Sequence, residues 1–225
     1  FVDGSTNTLL NNGVIEVLPA SFATGEIETK LLENYGTMIL YSDTQFEPSN
    51  GVYRNRGTLT LASGGRLTLD STGQSFEQLA GTLSVVDDVA FVLTDINVGG
   101  FPRFVFTGGE IQNGTVAVRN GTVALNASAT GRGHFTTWGG STLEGEISPS
   151  HTVVVEGSTR GAGGATLTTP AGATLTNRGT LIVATPDASM TANLSLASGQ
   201  QLLNEVGATL DVNAGAGTNP FVGAA

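Results

Sequence analysis

The pentapeptide Asn-Arg-Gly-Thr-Leu occurs twice in this 225-residue chain, at residues 55–59 and again at 177–181. Looser versions, in which a turn with Asn or Gly precedes a short strand rich in Thr and Leu, surround the first copy. The turn glycines at positions 13, 36, 57 and 81 lie 23, 21 and 24 residues apart. A turn-plus-strand unit that recurs at this spacing is typical of a solenoid, in which successive coils stack and share one core.

Alternating aliphatic residues predict short β-strands throughout the chain. Leu59 and Leu61 form an i, i+2 pair after the first pentapeptide, and Leu181 and Val183 form one after the second. Because successive side chains on a strand point to opposite faces, both members of a pair lie on one face. No stretch has a sustained 3.6-residue apolar period, so we expect an all-β protein. Three short strands with their turns use about 20 to 28 residues, which fits the glycine spacing.

We therefore predict a single parallel β-solenoid of roughly nine or ten coils over residues 1–212. An irregular insertion is expected near residues 87–110, where the repeat spacing is lost, and residues 213–225 are expected to be a Gly/Ala-rich linker or the start of a further region. Short alternating strands also fit a β-sandwich or jelly roll, which is the alternative fold.

Corner residues and the aliphatic residues that follow them are expected to build the repeat. The glycines would serve tight corners that need a positive φ, and asparagines at equivalent corners would hydrogen-bond along the stack. The predicted structural residues are Asn55, Gly57, Leu59, Leu61, Asn177, Gly179, Leu181 and Val183.

The composition excludes several classes of partner and chemistry. A net charge of −10, with only nine Lys and Arg, argues against binding to nucleic acid. No run of eighteen apolar residues occurs, so no membrane span is expected. The absence of cysteine excludes a disulfide framework, a thiolate zinc site and a cysteine nucleophile. Charged residues make up only 12% of the chain, so Thr, Ser, Asn and Gly must cover its surface.

Paired carboxylates are the first candidates for catalysis, because glycoside hydrolysis needs an acid together with a base or nucleophile. Asp87 and Asp88 are the only adjacent acidic pair, and Asp95 follows in the irregular segment. Neighbouring residues on a strand point to opposite faces, so the pair would converge only in a turn, and a solvated loop is the favoured interpretation. Glu144 and Glu146 share one face of a strand, but their surroundings indicate an exposed edge.

No catalytic site and no cofactor are therefore predicted. His134 and His151 have no second ligand at metal spacing. His134 is expected in a surface turn, with contact to a glycan as the alternative. The known calcium-loop sequences are absent, so an isolated calcium ion near Asp87, Asp88 or Asp95 is the only metal that the sequence leaves open.

Aromatic residues concentrate between positions 91 and 138. The favoured interpretation is a wider section of the core, or a cap over a protruding loop. The alternative is a platform for sugar rings, carried by Phe101, Phe104 and Trp138. Outward rows of threonine, such as Thr58, Thr60 and Thr68, suggest a passive glycan- or ice-binding surface as a further alternative.

The repeated N-x-G-T-L followed by L-x-x-G-x-x-L resembles the β-strand repeat regions of large bacterial surface proteins, such as adhesins of the filamentous-haemagglutinin kind and the passenger regions of autotransporters. The resemblance covers most of the chain, except that the periodicity is lost at 87–110. It implies a right-handed parallel β-helix at the cell surface or in the medium. It carries no functional residue over to this sequence.

Three functions remain open at this stage. The first is a structural or adhesive segment of an extracellular bacterial surface fibre or stalk, which self-associates through its end coils into a homo-oligomer or filament. The second is a polysaccharide lyase, hydrolase or tailspike-like enzyme that uses Asp87, Asp88, Asp95 and Arg103. The third is a passive surface for glycans.

Overall fold

The computed structural model describes residues 7–19, 24–87, 91–94, 101–159, 163–187, 189–213 and 221–224. Within these residues the chain is all-β, contains no helix, and stacks parallel strands as a β-solenoid of about 8 turns. The predicted parallel solenoid is confirmed in place of the sandwich, with slightly fewer turns than the nine or ten expected. The strands are β1 (Thr8–Asn11), β2 (Val14–Val17), β3 (Gly25–Ile27), β4 (Leu31–Asn34), β5 (Thr37–Leu40), β6 (Asp43–Phe46), β7 (Val52–Asn55), β8 (Thr58–Leu61), β9 (Arg66–Leu69), β10 (Ser75–Gln78), β11 (Thr82–Val85), β12 (Phe91–Thr94), β13 (Arg103–Gly108), β14 (Glu110–Gln112), β15 (Val116–Arg119), β16 (Thr122–Thr130), β17 (Gly133–Gly145), β18 (His151–Glu156), β19 (Ala165–Thr168), β20 (Leu175–Asn177), β21 (Thr180–Ala184), β22 (Ala192–Leu196), β23 (Leu202–Asn204), β24 (Thr209–Asn213) and β25 (Phe221–Ala224).

Each turn of the solenoid contributes strands to three faces. The first face contains β1, β4, β7, β10, β13, β16, the second half of β17, β19, β22 and β25. The second face contains β2, β5, β8, β11 and β14, and then β20 and β23. The third face contains β3, β6, β9, β12, β15, the first half of β17, β18, β21 and β24. Because β17 runs from the third face round a corner to the first, these two faces join into one continuous sheet.

Alternation of side chains fixes the register of every coil on its neighbour. Leu59 and Leu61 of β8 are fully buried, and Leu59 lies between Met38 and Leu83 of the adjacent coils. A one-residue slip would turn these aliphatic side chains outward, so burial of the column specifies the pairing. The inward side chains form one core cluster that extends from Ile27 to Leu196. Each fully buried Leu or Val contributes about 1.5–3 kcal/mol.

The turn glycines stack in a column at the corner between the first and second faces. A Cβ on Gly57 would lie 2.1 Å from the carbonyl oxygen of Gly36, and a Cβ on Gly81 would lie 2.0 Å from that of Gly57. Gly81 has the positive φ that was expected of these corners, at +69°, but Gly36 and Gly57 do not. The prediction of a positive φ is therefore wrong at Gly36 and Gly57, where glycine is needed because two backbones approach closely.

A buried ladder of side-chain amides runs beside this glycine column, as predicted. Nδ2 of Asn11 donates to Oδ1 of Asn34 at 2.7 Å, and Nδ2 of Asn34 donates to Oδ1 of Asn55 at 2.7 Å. Asn55 continues the ladder to Oε1 of Gln78 at 2.9 Å. The second amide hydrogen of Asn34 goes to the carbonyl of Thr58 at 3.0 Å. Buried amides need partners of this kind, and here the repeat itself supplies them.

The two identical pentapeptides occupy different corners of the coil. The first begins at Asn55, the last residue of β7, and leads from the first face to the second. The second begins at Asn177, the last residue of β20, and leads from the second face to the third. It repeats the same contacts, since Nδ2 of Asn177 donates to Oδ1 of Asn204 at 2.7 Å and a Cβ on Gly179 would lie 2.2 Å from the carbonyl oxygen of Ser148.

Aromatic rings fill the middle of the core. The rings of Tyr53 and Phe76 stack at 4.7 Å between centroids, and those of Phe76 and Phe104 stack at 5.3 Å. Phe91, Phe106 and Phe135 are also fully buried. Within the predicted aromatic segment, Phe91, Phe104, Phe106 and Phe135 therefore belong to the core, as the favoured interpretation expected.

Strands occur at both predicted boundaries. β13 and β14 pair with β10 and β11 of the preceding coil, so they continue the first and second faces. Residues 88–90 and 95–100 lie outside the described part of the chain. At the other end, β25 pairs in register with β22, so the stack extends beyond the boundary predicted after residue 212.

Candidate functional site

The second face is interrupted in the middle of the stack. Its regular ladder ends at β14, because β16 continues past the first face and its register against β13 shifts between Phe106 and Gly108. Gly131 and Arg132 alone then cross the second face before β17 begins at Gly133. In the following coil, Ile147 makes a single bridge to Asn177.

A polar groove lies at this interruption, and we call it the β14 groove. It has a volume of about 610 Å³, within the range of small-molecule sites. The backbone holds its two sides together, because the N–H of Ile111 donates to the carbonyl of Arg132 at 2.8 Å. The hydroxyl of Thr115 donates to the carbonyl of His134 at 3.2 Å. The lining residues are Glu110, Ile111, Gln112, Asn113, Gly114, Thr115, Arg132 and His134.

Opposite charges face the groove without forming an ion pair. The carboxylate of Glu110 accepts from Nε2 of Gln112 at 2.6 Å. Arg132 is exposed, and no acidic group of the described chain lies within ion-pair distance of it. The arrangement differs elsewhere on the surface, where Arg54 bridges Glu33 and Glu77 at 3.3 and 2.9 Å. The groove thus keeps a donor and an acceptor available to a ligand.

Of the three aspartates predicted as candidates, Asp87 lies among the described residues. Asp87 lies in an exposed turn, where its carboxylate accepts from the N–H of Gly64 at 3.3 Å. Asp88 and Asp95 lie outside the described residues. Among the residues that the structure describes, no group of three or more His, Cys, Asp or Glu could hold a metal ion.

The remaining charged candidates pair with one another along the outer surface. Arg103 donates from Nη1 to Oε1 of Glu144 at 2.9 Å. Glu146 pairs instead with Nη1 of Arg178 at 2.9 Å, so Glu144 and Glu146 engage different arginines. Arg103, which the enzyme hypothesis needs, is therefore held on the first face.

The predicted aromatic platform is not assembled. Phe101 is 60% exposed, whereas Phe104 is 0% exposed in the core and Trp138 is 5% exposed. Trp138 packs on the outer side of the third face with Val92 and Ala117. Phe104 and Trp138 cannot contact a sugar ring in this structure, which leaves Phe101 as the one accessible member of the three.

The two histidines have opposite environments. His134 is exposed on the wall of the β14 groove, as expected, but it lies in strand β17 and not in the turn that was predicted. His151 is buried, and its ring meets that of Phe106 edge-on at 5.0 Å. Within the described part of the chain, neither ring nitrogen of His151 has a hydrogen-bond partner. Burial lowers the pKa of His151 to about 4, so this side chain is a neutral packing residue at pH 7.

Threonine rows occur on the second face but are short. Thr37, Thr58 and Thr82 are in register on adjacent coils, and Glu110 ends the row. Thr60 lies between Ile39 and Ser84 on the second face. On the third face, Thr68 lies between Gln45 and Val92. These rows are therefore interrupted by other side chains.

The β14 groove was not predicted from the sequence, although the length of the coils carries a signal for it. Val116 pairs with Phe135, 19 residues further on, and Phe135 pairs with Val153 after a further 18. In the regular part of the stack, Met38 and Leu59 are 21 residues apart. A shortened coil has too few residues for a full strand on every face, so one face must be cut short.

These features define the class of the molecule: a parallel β-solenoid with a polar groove where its second face is interrupted. The described residues contain no helix that is both long and apolar enough to cross a membrane. Comparisons with protein-family models, curated proteins and solved structures found no match. The geometry of the stack and of the groove is therefore the basis for the functional conclusion.

Proposed function

We propose that this chain is a structural, self-associating segment of an extracellular bacterial surface fibre or stalk. The observation that carries the proposal is the single core cluster, which runs from Ile27 to Leu196 without division into separate domains. Parallel backbone ladders tie each coil to the next, and the buried amide ladder joins the coils from Asn11 to Gln78, so the described stack can act as one stiff unit. The exterior, with few charges and many hydroxyl groups, favours close packing in a fibre.

The exposed ends of the core columns support self-association. Leu210 and Val212 continue the columns of Leu181 and Val183, yet they are 36% and 46% exposed, and no described strand pairs with β24 on its far side. At the opposite end, inward side chains such as Ile15 are only partly buried. An end coil also presents unpaired backbone N–H and C=O groups. A second copy that stacks head to tail would cover both ends with matching parallel strands.

Charge makes the expected association dependent on salt. Asp211 lies in the last coils, whereas Glu16 and Glu26 lie in the first. Head-to-tail stacking brings these acidic ends together, and salt screens their repulsion. Association should therefore strengthen as the ionic strength rises, which is the opposite of what an interface held by ion pairs would do.

Small-angle scattering and sedimentation velocity on the full chain test the proposal. A single copy should be a short rod, roughly 40 Å long, from about 8 turns at ~4.8 Å per coil. Oligomers should grow in length at constant cross-section as protein concentration and salt increase. Val212→Lys places a charge in the exposed column and should prevent growth. Val154→Lys, on the outer side of the third face, is the matched control and should not.

A compact particle would contradict the proposed shaft. So would one unchanging species at every protein and salt concentration, or equal growth by both variants. Growth in cross-section that only Val154→Lys prevents would show lateral packing and would overturn the head-to-tail arrangement.

A further inference from the structure

We propose that the β14 groove binds a sugar chain, as a function separate from the shaft. The groove is lined by a carboxylate, a guanidinium group, two side-chain amides, an imidazole and a hydroxyl group. Such a lining is far more polar than that of a typical small-molecule pocket, so an apolar ligand would remove water from the charges of Glu110 and Arg132 without replacing it.

The separated charges favour a ligand that donates and accepts hydrogen bonds at neighbouring atoms. Glu110 offers carboxylate oxygens on the β14 side, and Arg132 offers planar N–H donors on the next coil. A sugar hydroxyl can donate to the first while its neighbour accepts from the second. Hydrogen bonds to ionised groups are stronger than those between neutral groups, so one pair of adjacent hydroxyls would gain two strong contacts.

Other ligand classes fit less well. A phosphate or nucleic acid would meet Glu110 in the groove and a net charge of −10 on the whole chain. A metal ion would meet the guanidinium of Arg132 in a groove that has Glu110 as its only carboxylate. A sugar chain avoids both conflicts, because its hydroxyl groups are neutral and a uronate, if present, can pair with Arg132.

The shape of the corner gives the groove a wall on the β14 side. Four residues separate Ile111 from Val116, but only two separate their neighbours Arg132 and Phe135 in the next coil. The additional residues are accommodated at Asn113, which has a left-handed φ of 68°. Its side-chain Nδ2 donates to Oγ of Ser84 at 2.8 Å, so this wall is braced by the coil before it. The groove is thus held open by its own framework, which lowers the entropic cost of binding.

Titration with defined oligosaccharides tests the proposal. The full chain would be titrated with neutral gluco- and manno-oligosaccharides and with oligogalacturonates, by calorimetry and by NMR of the side-chain amides. We expect saturable binding to at least one of these ligands, with shifts of the Gln112 and Asn113 amide signals. Arg132→Gln and Glu110→Gln should each weaken it about tenfold, which corresponds to about 1.4 kcal/mol. If Arg132→Gln lost more affinity for the galacturonates than for the neutral oligosaccharides, the ligand would belong to the acidic class. Equal losses of affinity would assign the ligand to the neutral class.

Arg56→Gln is the matched control. Arg56 is also exposed, and its guanidinium lies 5.8 Å from the ring of Tyr35 at a different corner of the stack. This variant should bind like the unmodified chain, and all three variants should unfold at the same urea concentration. Absence of saturable binding to every oligosaccharide, or equal losses in Arg132→Gln and Arg56→Gln, would overturn the proposal. Neither result would affect the test of the shaft, which measures association and shape.

Discussion

Gly57→Ala is expected to destabilise the solenoid strongly, although alanine usually suits an ordinary backbone conformation better than glycine does. The new Cβ would lie 2.1 Å from the carbonyl oxygen of Gly36 and 2.6 Å from the carbonyl carbon of Tyr35. Both are backbone atoms, so no side chain can rotate away. The separation is about 1.3 Å short of ordinary van der Waals contact, and the two coils must move apart to restore it.

The cost follows from the bonds that this movement breaks. The N–H of Gly57 donates to the carbonyl of Asn34 at 2.9 Å, and the N–H of Thr58 donates to that of Gly36 at 2.8 Å. Losing two or three such bonds costs about 1 kcal/mol each, and partial separation of the buried Met38 and Leu59 adds to this. Alanine restricts the unfolded chain more than glycine does, and this offsets about 0.4–1 kcal/mol of the loss in stability. We therefore expect a net loss of about 3 kcal/mol, or about 6–12 °C in melting temperature.

Gly13→Ala is the matched control because Gly13 begins the same column. Among the described residues, no atom lies within 4 Å of a Cβ at this position. The same substitution should therefore be neutral or stabilise the protein by up to about 1 kcal/mol. Urea unfolding followed by circular dichroism gives both values. If the two variants lost equal stability, or if Gly57→Ala unfolded like the unmodified chain, the stacked-glycine argument would be wrong.

Three further predictions concern the core. Leu59→Asp buries an unpaired charge in a column with no exposure and should abolish folding, whereas a soluble variant with an unshifted melting transition would contradict this. Asn34→Ala removes three hydrogen bonds of the amide ladder and should cost about 3 kcal/mol in urea unfolding, while a loss below about 1 kcal/mol would show that the ladder adds little. Burial lowers the pKa of His151 from 6.5 to about 4. The neutral ring should therefore contribute fully to the free energy of unfolding above pH 6.5. This contribution should fall by about 3 kcal/mol as the pH drops to 4, and His151→Leu should remove this part of the pH dependence measured between pH 4 and 7.

The local pattern of alternating apolar residues and turn glycines was sufficient to predict the coil, because every coil must bury one face of each strand and then turn. The i, i+2 pairs such as Leu59 and Leu61 must face a common interior, and a turn with glycine must follow each strand. The amide ladder through Asn34 and Asn55 was predictable for the same reason, since equivalent positions lie one coil apart. The aliphatic pairs, the turns and the amide ladder each depend only on residues within one or two coils of the chain.

The position of a motif around the coil was not predictable from the motif itself. Asn55 and Asn177 begin identical pentapeptides, yet they turn the chain at different corners. The pentapeptide specifies a tight corner with a side-chain amide inside it, and any pair of faces can use such a corner. Which pair uses it depends on the lengths of the other two corners, which vary without a clear sequence mark.

The aromatic residues show a similar limit for the candidate site. Phe101 and Phe104 are three residues apart, but one is exposed and the other is buried in the core. The strand that separates their environments begins at Arg103, and residues 95–100 before it broke the repeat spacing on which the alignment of coils relied. Without that register, inward and outward positions could not be assigned, and the three aromatic residues looked equivalent.

The β14 groove follows from a property that solenoids share. Each coil is stabilised by its two neighbours, so one shortened face costs only local contacts as long as the other faces continue. Val116, Phe135 and Val153 maintain the third face through the interruption, and Val123 and Leu143 maintain the first. The core can therefore pass beneath a gap in the second face without a break. A groove at such a gap needs no protruding domain, so the proposed shaft and the proposed binding site can occupy the same stack.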